Sequence, residues 1–234
     1  MAQGSRDCIT CAVRKEDCFC SLTSDALADL QSIGHLTHFE PGELALHEGY
    51  IADKVYVMCH GRMKLTASSA EGKLLIVRLA KPGDVLGLAA VLKGSTHKVT
   101  AEALEPCEAK AIGRAEFLAF MDRYRDVSRN TALTLALEYE GAMLSARRLA
   151  LSGSASSKLA HVLLDWGGMG KQPAEEPFAF RMPLTHEELG NMAGLSRETV
   201  TRLLTKFRHE GMVQQQGEQI ILPRPSAMQA KYCS

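Results

Sequence analysis

The sequence predicts an α+β chain: an N-terminal antiparallel β-barrel or jelly roll, a long helix suited to dimerisation, and a C-terminal winged helix-turn-helix. Three observations predict it. Short β-like runs punctuated by glycine fill residues 36–114. A helical texture with Leu137, Leu144 and Leu151 at seven-residue spacing covers 115–151. The segment THEELGNMAGLSRETVTRLLTKFR at 185–208 reads as two short helices joined by a tight turn.

Size and composition bound the function. At 234 residues, the chain has room for one or two domains with a substantial core. Apolar residues at 46% and charged residues at 23% are ordinary for a soluble globular protein. No apolar run approaches the ~18 residues that span a bilayer, and the start MAQGSRDC lacks the apolar stretch of a secretory signal. A cytoplasmic protein with no membrane partner is expected. The formal net charge of zero argues against a chain that coats nucleic acid non-specifically. Charge is local instead: Arg197, Arg202, Lys206 and Arg208 face a single acidic residue, Glu198, within 197–208.

Along the chain, residues 1–20 are polar and cysteine-rich. Residues 21–34 form a short helix, with Leu22, Leu27, Leu30 and Ile33 on one side and Gly34 closing it. Candidate strands are VYVM at 55–58, RMKLTA at 62–67, LLIVRLA at 74–80 and VTAEAL at 99–104. Pro41-Gly42, Gly61, Glu71-Gly72, Pro82-Gly83 and Gly94 mark the turns. In the helical stretch that follows, Leu133 stands one turn before Leu137, a seam for helix pairing in a dimer or a core-facing stripe. LSGSASS at 151–157 is small and polar and reads as a hinge, and 158–168 as a further helix.

The segment at 185–208 carries the strongest local signals. Thr185 followed by Glu188 is a capping box. Gly190 permits a close helix crossing, Gly194 takes the positive φ that ends the first helix, and Ser196 caps the second. Val200, Leu203, Leu204 and Phe207 face inward, which turns Arg197, Glu198, Thr201, Arg202 and Lys206 outward. This spacing suits a recognition helix for the DNA major groove. After it, Gly211-Met212-Val213 and QQQGEQIIL, turning near Gly217, read as a two-stranded wing.

Barrel, long helix, hinge and winged helix-turn-helix together resemble the Crp/Fnr family of bacterial transcription regulators over nearly the whole chain. The resemblance rests on LSRETVTRLLTKFRHEGMV at 195–213 and on PGELALHEG, HGRMKL and KPGDVLG at 41–49, 60–65 and 81–87. It implies a cysteine-rich segment at 1–20, a cyclic-nucleotide-binding-like effector domain at 21–125, a dimerisation helix at 126–152 and a Crp-type DNA-binding domain at 154–227. A homodimer on double-stranded DNA follows, with half-sites about one helical turn apart, and RNA polymerase as a further partner. By position, Arg197, Glu198 and Arg202 match the base readers of the catabolite-activator branch, with Thr201 beside them. The fumarate-nitrate branch has an apolar residue where Arg197 stands, so TGTGA-like half-sites are expected. Ser196, Thr199, Lys206 and Arg208 are the candidate phosphate contacts.

For the effector domain, the resemblance points first to a cyclic nucleotide. The family's Gly-Glu-Leu and Arg-Ser segments correspond here to Gly87-Leu88-Ala89 and His97-Lys98-Val99. Glutamate and arginine are both absent, and Met143 and Leu144 stand where adenine-contacting hydroxyls would be. Gly87, Leu88, His97 and Lys98 remain the candidate effector pocket, but three departures argue against cyclic nucleotide.

The second candidate is an iron–sulfur cluster. Four of seven cysteines crowd into residues 8–20. In a reducing compartment such crowding points to metal, cluster or redox chemistry. Cys8-x2-Cys11-x6-Cys18 resembles the cysteine run of the oxygen-sensing branch, whose last spacing is one residue shorter. A four-iron cluster takes four thiolates. In that branch the fourth comes from a late barrel strand, where an ungapped reading puts Lys110, with Cys107 three residues early and on the opposite strand face. Cys20 and Cys107 are thus alternative fourth ligands. Zinc, a thiol–disulfide switch and an inert tail are the other readings of this segment. Cys59 and Cys233 read as structural cysteines, and the eight histidines show no metal-ligand spacing.

Enzyme signatures are missing: no nucleophile elbow, phosphate loop or zinc-protease motif occurs. Glu175-Glu176 and Glu187-Glu188 read as solvated charge. The class-level alternative to a DNA reader is a sensor acting through protein partners.

Overall fold

A computed structural model describes residues 7–12, 14, 18–151, 153–166 and 177–233, the side chains of 148–151 excepted. The chain divides into two compact units, one of residues 1–73 and 77–142, the other of 143–234 with 74–76.

The first unit is a jelly-roll-like sandwich of two four-stranded antiparallel sheets. One has the order β1 (His35–Phe39), β8 (Cys107–Gly113), β3 (Lys54–His60), β6 (Val85–Leu86). The other runs β2 (Leu44–Leu46), β7 (Thr100–Ala103), β4 (Met63–Ser68), β5 (Leu74–Ala80). Strand alternation divides β3 between two cores. Met58 faces the inter-sheet core with Phe39, Leu46, Met63, Leu65, Ala101 and Cys107. Val55 and Val57 face the opposite way, into a second core with Leu27 and Leu30 of α1 (Ser24–Ile33) and Phe117 and Phe120 of α3 (Arg114–Arg123). Leu88 and Val91 of α2 (Leu88–Lys93) join that second core.

The predicted helix over 115–151 is two helices, α3 and α4 (Arg125–Leu151). They part at Tyr124, whose backbone is extended at φ −122°, ψ 116°. No proline or glycine announces the break. Ring packing of Tyr124 on Phe120 at 5.4 Å and the burial of Val127 hold it. On α4, Leu133, Leu137, Met143 and Leu144 are half-exposed. The side chain of Leu151 lies outside the described residues.

In the second unit, the expected hinge at 151–157 contracts to residues 152–154, of which 152 lies outside the described residues. Ser154 Oγ accepts the N–H of Ser157 at 3.0 Å, so the small polar residues begin a capped helix, α5 (Ala155–Trp166), rather than a link. Residues 167–168 and Glu175-Glu176 also fall outside the described set. Leu159, Leu163, Leu189, Val200, Leu204 and Phe207 build one core here. The wing gains a third strand: β10 (Gln214–Gln216), β11 (Gln219–Leu222) and β9 (Phe178–Arg181) pair in the order β10-β11-β9. A C-terminal helix, α8 (Pro225–Tyr232), starts on proline and buries Met228. Among the described residues no helix is long and apolar enough to cross a membrane.

Candidate DNA interface and thiol pocket

The helix-turn-helix consists of α6 (His186–Ala193) and α7 (Arg197–His209). Thr185 Oγ1 accepts the Glu188 N–H at 3.2 Å, while Glu188 Oε2 accepts the Thr185 N–H at 2.9 Å, closing the capping box. Gly194 ends α6 at φ 64°, a conformation that costs a side chain strain. Ser196 Oγ accepts the Thr199 N–H at 3.3 Å and caps α7. Packing in the turn is tight: a Cβ on Gly190 would stand 2.5 Å from the Leu195 carbonyl oxygen. Gly190→Ala is therefore expected to destabilise this unit by about 1–3 kcal/mol, read as a lowered midpoint in thermal unfolding.

Val200, Leu203, Leu204 and Phe207 bury the inner face of α7. The outer face carries Arg197, Glu198, Thr201, Arg202 and Thr205 around one open concavity. All four candidate base readers thus share one surface, and Thr205 joins them. Composition hides Thr205, but its helical spacing from Thr201 signals it. Thr201 Oγ1 donates to the Arg197 carbonyl at 3.0 Å and stands 2.8 Å from Nδ1 of His186, so its hydroxyl is already engaged. Thr205 Oγ1 accepts from Arg208 Nη2 at 3.1 Å. The Glu198 carboxyl is held below the usual carboxylate range by its own backbone N–H and the Ser196 hydroxyl, and is ionised at neutral pH. It is an acceptor, as pairing with a cytosine amino group requires.

Among the candidate phosphate contacts, Ser196, Lys206 and Arg208 are exposed and Thr199 is half-buried. Lys206 Nζ lies 4.0 Å from Glu210 and 5.4 Å from the Tyr232 ring centre. Glu210 also binds Lys231 and the Tyr232 hydroxyl, which ties α8 to the end of α7.

In the first unit, the N-terminal cysteines are pinned to the sandwich. The Cys8 N–H donates to Gln31 Oε1 of α1 at 3.1 Å. Phe19 is buried, with its ring 6.1 Å from that of Phe117. The Phe19 N–H donates to the Gly83 carbonyl at 3.3 Å. Asn130 Nδ2 of α4 donates to the carbonyls of Phe19 and Ser21 at 3.1 and 2.8 Å.

Cys8, Cys11, Cys18, Cys20 and Cys59 line a single pocket, together with Arg14 and Lys110. Cys107 is not part of it. Its Sγ donates to the carbonyls of Glu105 and Arg62 at 3.1 and 3.3 Å from within the inter-sheet core. Lys110, three residues on, takes the other face of β8, and its Nζ donates to Gln31 Oε1 at 2.9 Å. Cys59 escaped the sequence reading because an isolated cysteine in an apolar strand looks like any buried core cysteine.

Burial raises the Cys8 thiol against the opposing pull of Lys110. It pushes Cys59 up to about 11. A hydrogen bond with Cys18, then burial, raises Cys20. Among the described residues no three Cys, His, Asp or Glu side chains stand in a preformed metal-ligand arrangement. The chemistry of the donor set still suits an iron–sulfur or zinc centre: among the described residues the pocket is lined by thiols and two cations, with no carboxylate.

The candidate effector residues form no comparable site. Leu88 is buried in the helix-side core. The His97 ring, also buried, packs on Gly87, where an added Cβ would meet Cε1 at 3.1 Å. Lys98 is exposed, with its Nζ 3.4 Å from Thr96 Oγ1.

Residues 36–124 match the cyclic nucleotide-binding domain model and residues 157–231 the Crp-like helix-turn-helix domain model. The nitrogen fixation regulation protein FixK of Bradyrhizobium diazoefficiens is 27% identical over 88% of this chain and 85% of its own. A cyclic AMP receptor protein of Thermus thermophilus is 28% identical over 75% and 77%. In fold, the chain resembles FixK2 from Bradyrhizobium japonicum, with a TM-score of 0.74, 23% identity and coverage of 85% and 96%. A cyclic nucleotide-binding domain is followed by a Crp-like helix-turn-helix domain, and the relatives are transcription regulators rather than enzymes: the chain belongs to the Crp/Fnr family of transcription regulators.

Proposed function

We propose that this regulator is a cytoplasmic homodimer that reads a TGTGA-like palindrome under the control of a redox signal received at its N-terminal cysteines, with RNA polymerase as its downstream partner. The observation that carries the DNA reading is the shared face of Arg197, Glu198 and Arg202 on α7. Arginine donates two bonds to guanine and glutamate accepts from cytosine, chemistry that specifies G and C positions within a half-site. A gel shift with a TGTGA palindrome tests it. Binding is expected to exceed that of a scrambled duplex by at least a thousand-fold and to weaken with added salt as phosphate counterions are displaced. Equal affinity for both duplexes points instead to a sensor acting through protein partners.

For the signal, the thiol-lined pocket is the supporting observation. When bound, an iron–sulfur cluster supplies oxidant-sensitive, one-electron chemistry that thiols alone lack. The chain's own residues would relay the state of the pocket: the cysteine segment is tied to the first turns of α4 through Asn130 and through Asp126, which accepts the Thr23 N–H at 2.7 Å. A shift in that segment biases the pose of the long helix, a two-state arrangement of the kind regulators use. A cyclic nucleotide fits less well, because Leu88 is committed to the core and the Lys98 ammonium is a point charge without the two-pronged grip of arginine.

A further inference from the structure

We propose that Cys59 of β3 is the sandwich-side ligand of the iron–sulfur centre, bound together with N-terminal cysteines, and that Lys110 is the buried cation that balances it. The inference rests on the cluster reading above and assigns it a residue that neither the cysteine spacing nor the family resemblance points to.

Three observations carry it. Cys59 lines the same pocket as Cys8, Cys11, Cys18 and Cys20, although it lies 39 residues beyond Cys20 in the chain. The strand geometry aims it there: β3 pairs with β8 through Val57↔Lys110 and Met58↔Ala109, and the register then shifts between Met58 and His60. Cys59, the extra residue of that bulge, follows Val57 by two and lines the pocket on the same face as Val57 and Lys110. Finally, Lys110 is only 3% exposed, its Nζ donates to the neutral amide oxygen of Gln31, and it forms no ion pair among the described residues. A buried ammonium needs a compensating anion. Iron–sulfur centres held by four thiolates carry net negative charge, and the thiols beside Lys110 are the groups that would supply it.

Cys107 lies outside that pocket, on the opposite face of its strand, within the inter-sheet core. Loading is a balanced exchange. Each ligating thiol gives its proton to water as its sulfur bonds iron, the iron and inorganic sulfide coming from the cell. A ligand on β3 also ties the centre directly to a barrel strand, in addition to the anchoring of residues 8–20 through Cys8, Phe19 and Asn130.

The test compares anaerobically purified wild-type, Cys59→Ser, Cys59→Ala and Cys107→Ser chains for iron and acid-labile sulfide per chain and for visible absorption, with circular dichroism melting as the folding control. The wild type and Cys107→Ser are expected to carry equal iron and sulfide, and both Cys59 variants to lose at least three-quarters of each. A wild-type measurement guards against a variant that fails to fold: Cys59 should resist alkylation in the loaded chain and become labelled when the cluster is stripped, with Cys107 unchanged. A loaded wild type whose Cys59 variants load equally, or whose Cys59 labelling ignores stripping, overturns the assignment and leaves the cluster reading standing. Zinc in place of iron, lost in the Cys59 variants, overturns the cluster and keeps Cys59 as a ligand. A wild type with neither metal overturns both.

Discussion

Arg202→Ala is expected to weaken specific binding to a TGTGA palindrome by about thirty-fold or more while leaving thermal stability unchanged. Arg202 is exposed on α7 and forms no hydrogen bond or ion pair among the described residues, so its removal leaves the fold intact. A bidentate arginine–guanine pair is worth about 1–3 kcal/mol of discrimination. A dimer loses two such pairs, about 2–6 kcal/mol, or roughly thirty-fold to ten-thousand-fold in affinity. Residual binding should discriminate less between the palindrome and a scrambled duplex and keep the wild-type salt slope, because no phosphate contact is lost. Lys206→Ala is the contrasting variant: it should weaken all sequences alike and flatten the slope. Titrations by fluorescence anisotropy at two or more salt concentrations separate the two patterns. An Arg202→Ala chain that prefers the palindrome as strongly as the wild type does removes Arg202 from base reading.

The two ends of the molecule differed in how legible they were. The helix-turn-helix could be read almost residue by residue because its determinants are local: a cap three residues from its partner, a glycine at the αL position, a stripe at helical spacing. The wing was read only in part. Phe178–Arg181 is a strand of only four residues, and its place beside β11 is set by the sheet rather than by so short a pattern. The α3–α4 break at Tyr124 is likewise a tertiary effect that lacks a breaker residue. The thiol pocket shows the sharper limit. Cys8, Cys11, Cys18 and Cys20 announce themselves by crowding, but Cys59 joins them through the packing of the N-terminal segment on the Val57 face of β3, which no local pattern encodes. Opposite faces for Lys110 and Cys107 followed from strand parity alone, because an odd separation on a strand needs no tertiary information.

Leu137→Glu combined with Leu144→Glu should turn the dimer into a monomer. In the single chain Leu133, Leu137 and Leu144 are 50%, 55% and 51% exposed along α4, too much apolar surface at heptad-related spacing to be idle. Removing the exposed half of a leucine from water is worth about 1 kcal/mol. The double variant strips two leucines from each of two chains, so about 4 kcal/mol of association is lost. Four carboxylates placed at the seam would add repulsion and desolvation cost. A rise of at least a thousand-fold in the dimer dissociation constant follows, measurable by sedimentation equilibrium. Stability of the single chain should hold, because the substituted positions are exposed and belong to none of its cores. Specific DNA affinity should fall with it, since a monomer engages one half-site and forfeits the gain from tethering the second. If the double variant sediments as the wild type does, the seam is not the dimer contact. If it is monomeric yet binds the full palindrome as tightly as before, two-fold symmetry is not what sets the affinity.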